Sequence, residues 1–169
     1  MIRAFLLALL LLAGCAASSP VVSPRPAPAE ISAFSLNGRL AVRQGETRHH
    51  VKIDWTHGAT SDAILITTPL GQGVAELTRD PAGARLVLAD QRSYSASDWS
   101  VLSEQVFGFR LPLGNSARWL VGDIADSEGW RIEILEREGD APDALPTVIE
   151  LERDDVAVRL KIDEWSDVR

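Results

Sequence analysis

From residue 34 onward, apolar side chains recur at every second position, and that period constrains the fold more than any other feature. Phe34, Leu36, Leu40 and Val42 share one parity in FSLNGRLAV, as do Val51, Ile53 and Trp55 in HVKIDW. Leu86 and Leu88 do so in ARLVLAD. Trp130, Ile132 and Ile134 alternate with Arg131, Glu133 and Leu135, and Val156, Val158, Leu160 and Ile162 with Ala157, Arg159 and Lys161. Successive side chains of an extended chain point to opposite faces, so this period marks half-buried strands. DAILITT, GVAELTR and TVIELER extend the series. The turn signals QGET, HGATSD, TPLG, DPAG, REGDAPD and RDD separate the runs. Short strands so regularly spaced predict an antiparallel meander curled into a barrel or half-barrel.

One stretch breaks the period. In SASDWSVLSEQVFG, Trp99, Leu102 and Val106 fall at helical spacing, with Ser97 or Asp98 as N-cap and Gly108 as the stop. After Leu111-Pro112, LGNSARWLVG reads as a second short helix ending at Gly122. The helical pair is placed to cover one mouth of a curled sheet, with Trp99, Leu102 and Val106 facing it as a lid.

The chain has 169 residues, 46% hydrophobic and 24% charged, enough for one domain with a core. A net charge of −7 lacks the basic field that holds nucleic acid. It also repels anionic headgroups on average, so membrane contact is expected to be apolar or covalent rather than polybasic.

The lone cysteine, Cys15, excludes an internal disulfide and a four-cysteine zinc site. Its setting explains it. MIRAFLLALLLLAGC has one basic residue, Arg3, then an apolar run from Ala4 to Ala13, too short to span a bilayer and suited to a secretory leader. Leu12-Ala13-Gly14-Cys15 has the pattern of a bacterial lipobox, which implies cleavage before Cys15 and acylation of that residue. Ala16, where Asp commonly signals inner-membrane retention, favours the outer membrane. Removal of Arg3 with the leader takes the side-chain charge from −7 to −7 − 1 = −8. Residues 16–30, AASSPVVSPRPAPAE, are Pro-, Ser- and Ala-rich and read as a semi-extended linker. The expected organisation is a leader over 1–14, a lipidated N-terminus and linker over 15–32, and a folded domain over 33–169.

No catalytic constellation emerges, and no enzyme is expected. His49 and His50 are strand neighbours that point to opposite faces and cannot share a metal. His57, beside Gly58, has no partner at ligand spacing. Asp140 with Asp143 and Asp154 with Asp155 sit in polar loops. There is no G-x-S-x-G, no phosphate-binding glycine loop and no C-x-x-C. No metal or cofactor is expected beyond the covalent lipid. A curled sheet, apolar on its concave face and covered only by two small helices, leaves room for apolar ligands.

TTPLGQG, residues 67–73, carries an oddity. Pro69 and Gly71 suit positions i+1 and i+3 of a type I turn, yet Leu70 stands at the tip, where turn chemistry favours Asn, Asp or Ser.

The chain resembles the LolB family of outer-membrane lipoprotein receptors from about Phe34 to Trp165. The marks are GRLAV (38–42), the strand ending at Trp55, TPLG (68–71) followed by VAEL, LPLGNSARWLVG (111–122), GWRIEI (129–134), LP (145–146) and VRLKIDEW (158–165), together with the lipobox. The resemblance implies an incomplete antiparallel barrel around an apolar cavity, with helices at its opening. It implies a monomeric receptor, lipid-anchored on the periplasmic face of the outer membrane, that accepts acylated lipoproteins from a LolA-like periplasmic carrier and inserts them there. A generic lipid-binding or envelope-assembly lipoprotein of the same fold is the alternative. The family's protruding loop has an exposed leucine that serves membrane targeting, and Leu70 matches it. Parity nominates Leu40, Val42, Val51, Ile53, Trp55, Leu65, Leu86, Leu88, Trp130 and Ile132 as cavity lining, without fixing which face is concave.

Overall fold

The computed structural model describes residues 26–108, 110, 113–141 and 143–169; the leader and the lipobox with Cys15 lie outside them. The alternating runs form β1 (Phe34–Gln44), β2 (Thr47–His57), β3 (Asp62–Thr67), β4 (Gly73–Asp80), β5 (Gly83–Leu88), β6 (Ser93–Ala96), β7 (Arg131–Arg137), β8 (Pro146–Arg153) and β9 (Val156–Ser166). The two helices are α1 (Trp99–Phe107) and α2 (Leu113–Leu120). All strand pairs are antiparallel, in the order β6-β5-β4-β3-β2-β1-β9-β8-β7. The sheet therefore ends on β6 and β7 and stays open. Strand β6 was not anticipated: SYSA is four residues long and carries little apolar periodicity.

The registers place the alternating apolar residues on one face. Leu36 pairs with Trp55, Trp55 with Ile64, Ile64 with Leu77, and Leu77 with Leu86. Higher up, Val51 pairs with Leu40, Leu40 with Leu160, Leu160 with Ile149, and Ile149 with Ile134. Between these rows Gly38 allows β9 to cross closely. A Cβ on Gly38 would lie 2.6 Å from the Lys161 carbonyl oxygen, and the register shifts at Asn37/Gly38, a bulge that bends the sheet.

Asp98 caps α1 by accepting from the Val101 N–H at 3.0 Å, and Gly108 closes it in a left-handed conformation. Trp99 and Leu102 of α1, Ala117 and Leu120 of α2, and Leu145 before β8 join the main core with Phe34, Leu36, Ile53 and Trp55. Trp119 of α2 packs in a second cluster with Trp130, Val156 and Val158.

The turns define two ends. Those at 45–46, 68–72, 89–92 and 154–155 lie at the upper end; those at 58–61 and 81–82 lie at the lower end. The linker region meets the domain at the lower end. A short turn of helix spans Pro28–Glu30, and Ile31 packs on the core. The Ser32 and Ala33 N–H groups donate to the Arg169 carbonyl at 2.7 and 3.1 Å, and the Arg169 N–H donates back to Ala33 at 2.9 Å.

Candidate functional site

At the upper end, the β3–β4 hairpin closes with three loop residues, Pro69, Leu70 and Gly71. The Gly71 N–H donates to the Thr68 carbonyl at 2.9 Å and the Thr68 N–H to Gln72 at 2.8 Å. Gly71 sits at φ +85°, as the third residue of such a loop requires, and the Gln72 N–H also reaches the Thr68 hydroxyl at 3.1 Å. A proline-stiffened, side-chain-locked tip thus holds Leu70 out with 91% of its surface exposed. A leucine folded back onto a neighbouring strand would be buried, and this one is not.

The concave face differs between its two halves. Near the lower end Phe34, Leu36, Trp55, Leu77 and Leu86 are buried. Near the upper end Leu40, Val51, Ile66, Val74 and Leu88 are only half-buried. An apolar strip, incompletely covered, therefore runs along the inside of the sheet towards the end that carries Leu70. Of the residues nominated for a lid, Trp99 and Leu102 are buried and Val106 packs half-buried against the core, on the side their spacing predicts. Among the described residues two buried indole Nε1 groups, that of Trp99 in the cover and that of Trp130 before β7, have no hydrogen-bond partner.

Of the residues nominated for cavity lining, Leu40, Val42, Val51, Ile53, Trp55, Leu86, Leu88, Trp130 and Ile132 belong to the inward-facing clusters. Leu65 does not. It pairs with Asp54 and Glu76 on the convex face and is 45% exposed. In the run Ala63-Ile64-Leu65-Ile66 three consecutive large apolar residues hide the period, and the inward parity belongs to Ile64 and Ile66.

The lower end holds a polar cluster that sequence reasoning missed. Asp62, expected in a turn, begins β3 opposite His57, which ends β2. Its buried carboxylate accepts from Trp55 Nε1 at 2.9 Å and Arg79 Nε at 2.6 Å, and His57 Nδ1 lies 2.6 Å away. His57 thus has a carboxylate partner, five residues on. Burial alone would raise the Asp62 pKa, but the hydrogen bonds from His57, Trp55 and Arg79 outweigh it and hold the carboxyl below its ordinary range. The signal available in advance was HGATSD, a short turn that returns residue 62 to face residue 57. Through these bonds the Asp62 carboxylate ties β2, β3 and β4 together, so the cluster fastens the sheet. Among the described residues no group of His, Cys, Asp and Glu side chains is placed to hold a metal ion.

The fold and its upper end define a class: an open antiparallel half-barrel with a helical cover on its apolar concave face and a bare leucine on a protruding hairpin. A family model described as outer membrane lipoprotein LolB matches residues 32–165. Proteins named outer-membrane lipoprotein LolB align along nearly the whole chain. That of Chromobacterium violaceum is 35% identical, covering 96% of this chain and 98% of its own. That of Azoarcus sp. is 33% identical, covering 96% of each. The Nitrosomonas europaea protein is 33% identical, covering 93% and 88%. The chain belongs to the LolB family. A crystal structure of a LolA superfamily protein from Nitrosomonas europaea superposes with a TM-score of 0.43 at 11% identity, over 80% of this chain and 86% of that one.

Proposed function

We propose that this chain is an outer-membrane-anchored receptor that takes acylated lipoproteins from a LolA-like periplasmic carrier and inserts them into the outer membrane. The observation that carries the proposal is the half-covered apolar strip leading to an end tipped by the bare Leu70. Family membership supports it. On this reading residues 1–14 are removed, Cys15 carries the lipid, 15–32 tether the domain, and the protein works as a monomer on the periplasmic face. No covalent step is involved.

An acyl chain cannot cross water unaided, since each methylene exposed costs about 0.8 kcal/mol. The strip offers it a hydrocarbon surface, entered where the cover is thinnest. To go deeper, the chain displaces the lid at Trp99, Leu102 and Val106. The buried Trp99 indole N–H, unpaired among the described residues, carries a penalty of about 1–3 kcal/mol, which lowers the cost of opening. Leu70 enters the bilayer at release, so that the strip and the membrane are continuous.

The test loads purified carrier with a labelled lipoprotein and adds this protein, then vesicles. Label is expected to move to the protein and then to the vesicles; if it stays on the carrier, the proposal fails. The dense packing at the lower half of the concave face favours the alternative, an envelope-assembly lipoprotein of the same fold. That alternative predicts no uptake.

A further inference from the structure

On the convex face, β1, β2 and β9 set like charges abreast. Lys52 and Lys161 stand directly opposite Arg39, one on each side, and Arg43 stands opposite Arg48. Like charges directly opposite one another weaken a sheet, so nothing in folding favours the arrangement. Lys52 and Lys161 are the only lysines in the sequence. The arginine between them is already engaged: Arg39 donates to Asp163 at 3.0 and 2.6 Å. Arg159, one step higher, faces Glu150 at 3.6 Å. Among the described residues, Lys52, Lys161, Arg43 and Arg48 have no ion-pair partner, and all four are exposed.

Two of these cations, Lys52 and Lys161, share a hollow with the hairpin tip. A shallow depression of about 250 Å³ is bordered by Arg39, His50, Lys52, Arg159, Lys161 and Pro69, with atoms of Leu40, Ala41 and Val51 also lining it. Pro69 is the neighbour of Leu70, so a cationic hollow abuts the exposed leucine. A chain with a net charge of −7 thus keeps unpaired positive charge at the place where it presents a bare apolar side chain. The average charge argues against a polybasic contact; the local arrangement provides one.

We propose that this convex patch binds the phosphate groups of an anionic phospholipid surface while Leu70 enters the hydrocarbon beside it. The inference rests on the reading that Leu70 contacts the membrane. A lipid surface fits better than an acidic protein because the cations and the apolar tip are contiguous. A headgroup layer over hydrocarbon presents those two chemistries at adjacent depths. Lysine, a compact point charge on a flexible stem, suits headgroups that move laterally.

The experiment uses the full mature chain with Cys15→Ala, so that the anchor does not mask the contact. Binding is measured to phosphatidylcholine vesicles and to the same vesicles with about a third of the lipid replaced by phosphatidylglycerol. The anionic vesicles are expected to bind more tightly, with an advantage that shrinks as salt rises. Lys52→Gln with Lys161→Gln removes about 25-fold of that advantage, at roughly fivefold per charge, and leaves phosphatidylcholine binding unchanged. Equal binding of the unsubstituted chain to both vesicles overturns the patch proposal. So does a double variant that keeps its vesicle binding but takes up lipoprotein more slowly from loaded carrier, because the patch then serves a protein. Leu70→Glu separates the two readings: loss of binding to both vesicles supports membrane contact by the tip, and no loss overturns that premise.

Discussion

The two ends of the half-barrel are built by opposite rules. At the lower end the aromatic rings interlock: Phe34 lies 5.8 Å from Trp55, 4.9 Å from His57 and 5.2 Å from Trp165. Polar atoms there are paired, with Asp62 receiving Trp55 and Arg79 beside His57, and the Trp165 indole donating to the Pro146 carbonyl at 2.8 Å. At the upper end the concave side chains of β1–β5 are half-covered although Trp130, Val156 and Val158 beside them are buried, like charges face one another, and the most exposed large apolar side chain among the described residues occupies a turn tip. The interlocked rings and the buried ion pair are gathered at one end, and the bare leucine and facing like charges at the other. Departures from good folding practice tend to mark functional places.

Substitutions at the two ends test that division. Phe34→Ala is expected to have the largest effect, about 3–5 kcal/mol lost in urea unfolding, because three rings surround the cavity it leaves. Asp62→Asn comes next, at about 2–4 kcal/mol. It leaves Arg79 without its countercharge, although partial exposure of Arg79 moderates the loss. The same carboxylate sets an acid limit. Its folded pKa lies below the unfolded value of about 4, so its stabilisation is fully present above that value. It is lost as pH falls through the lower, folded value. Unfolding measured from neutral pH downward is expected to show this loss in the unsubstituted protein and much less of it in Asp62→Asn.

Leu145→Ala, at a fully buried position before β8, is expected to cost about 2–5 kcal/mol, within the range set by the first two. The smallest stability effect belongs to the upper end. Leu70→Glu is expected to shift unfolding by less than about 0.5 kcal/mol, because the side chain contacts almost nothing. Its delivery of lipoproteins to vesicles is nevertheless expected to fall sharply. An unfolded Leu70→Glu protein, or one with undiminished delivery, would erase the contrast between the ends.

The lower-to-upper gradient was only partly legible in the sequence. Period-2 alternation located most strands because one face of each is buried and the other wet, and Asp98 and Gly108 bounded α1 through local cap chemistry. Leu70 was visible because turns have strong compositional rules. Leu65 was misplaced because a run of consecutive apolar residues carries no parity, and only pairing with Asp54 and Glu76 turns it outward. The Asp62 cluster depends on Arg79 arriving from β4, a partner that no local pattern announces. The cationic rows were hidden for the same reason. Lys52 and Lys161 are far apart in the chain and flank Arg39 only once β2 and β9 close on β1.

The clasp of Ser32 and Ala33 onto Arg169 fixes where the leash is hitched. Its knot is at the lower pole, while the Leu70 tip that we propose enters the bilayer is at the upper one. On the proposed reading, with the lipid at Cys15 and the chain held by the domain from Pro28 onward, the free leash has 27 − 15 = 12 residues and would reach about 37 Å at roughly 3.1 Å per residue if fully extended. β1, 11 residues long, separates the poles by about 36 Å at roughly 3.3 Å per residue. The two lengths nearly match, so on that reading the leash is just long enough for the domain to turn over and touch the membrane with its far pole while its foot stays planted. Any shortening of that leash is then expected to leave Leu70 short of the bilayer, read as lost lipoprotein delivery by the anchored protein.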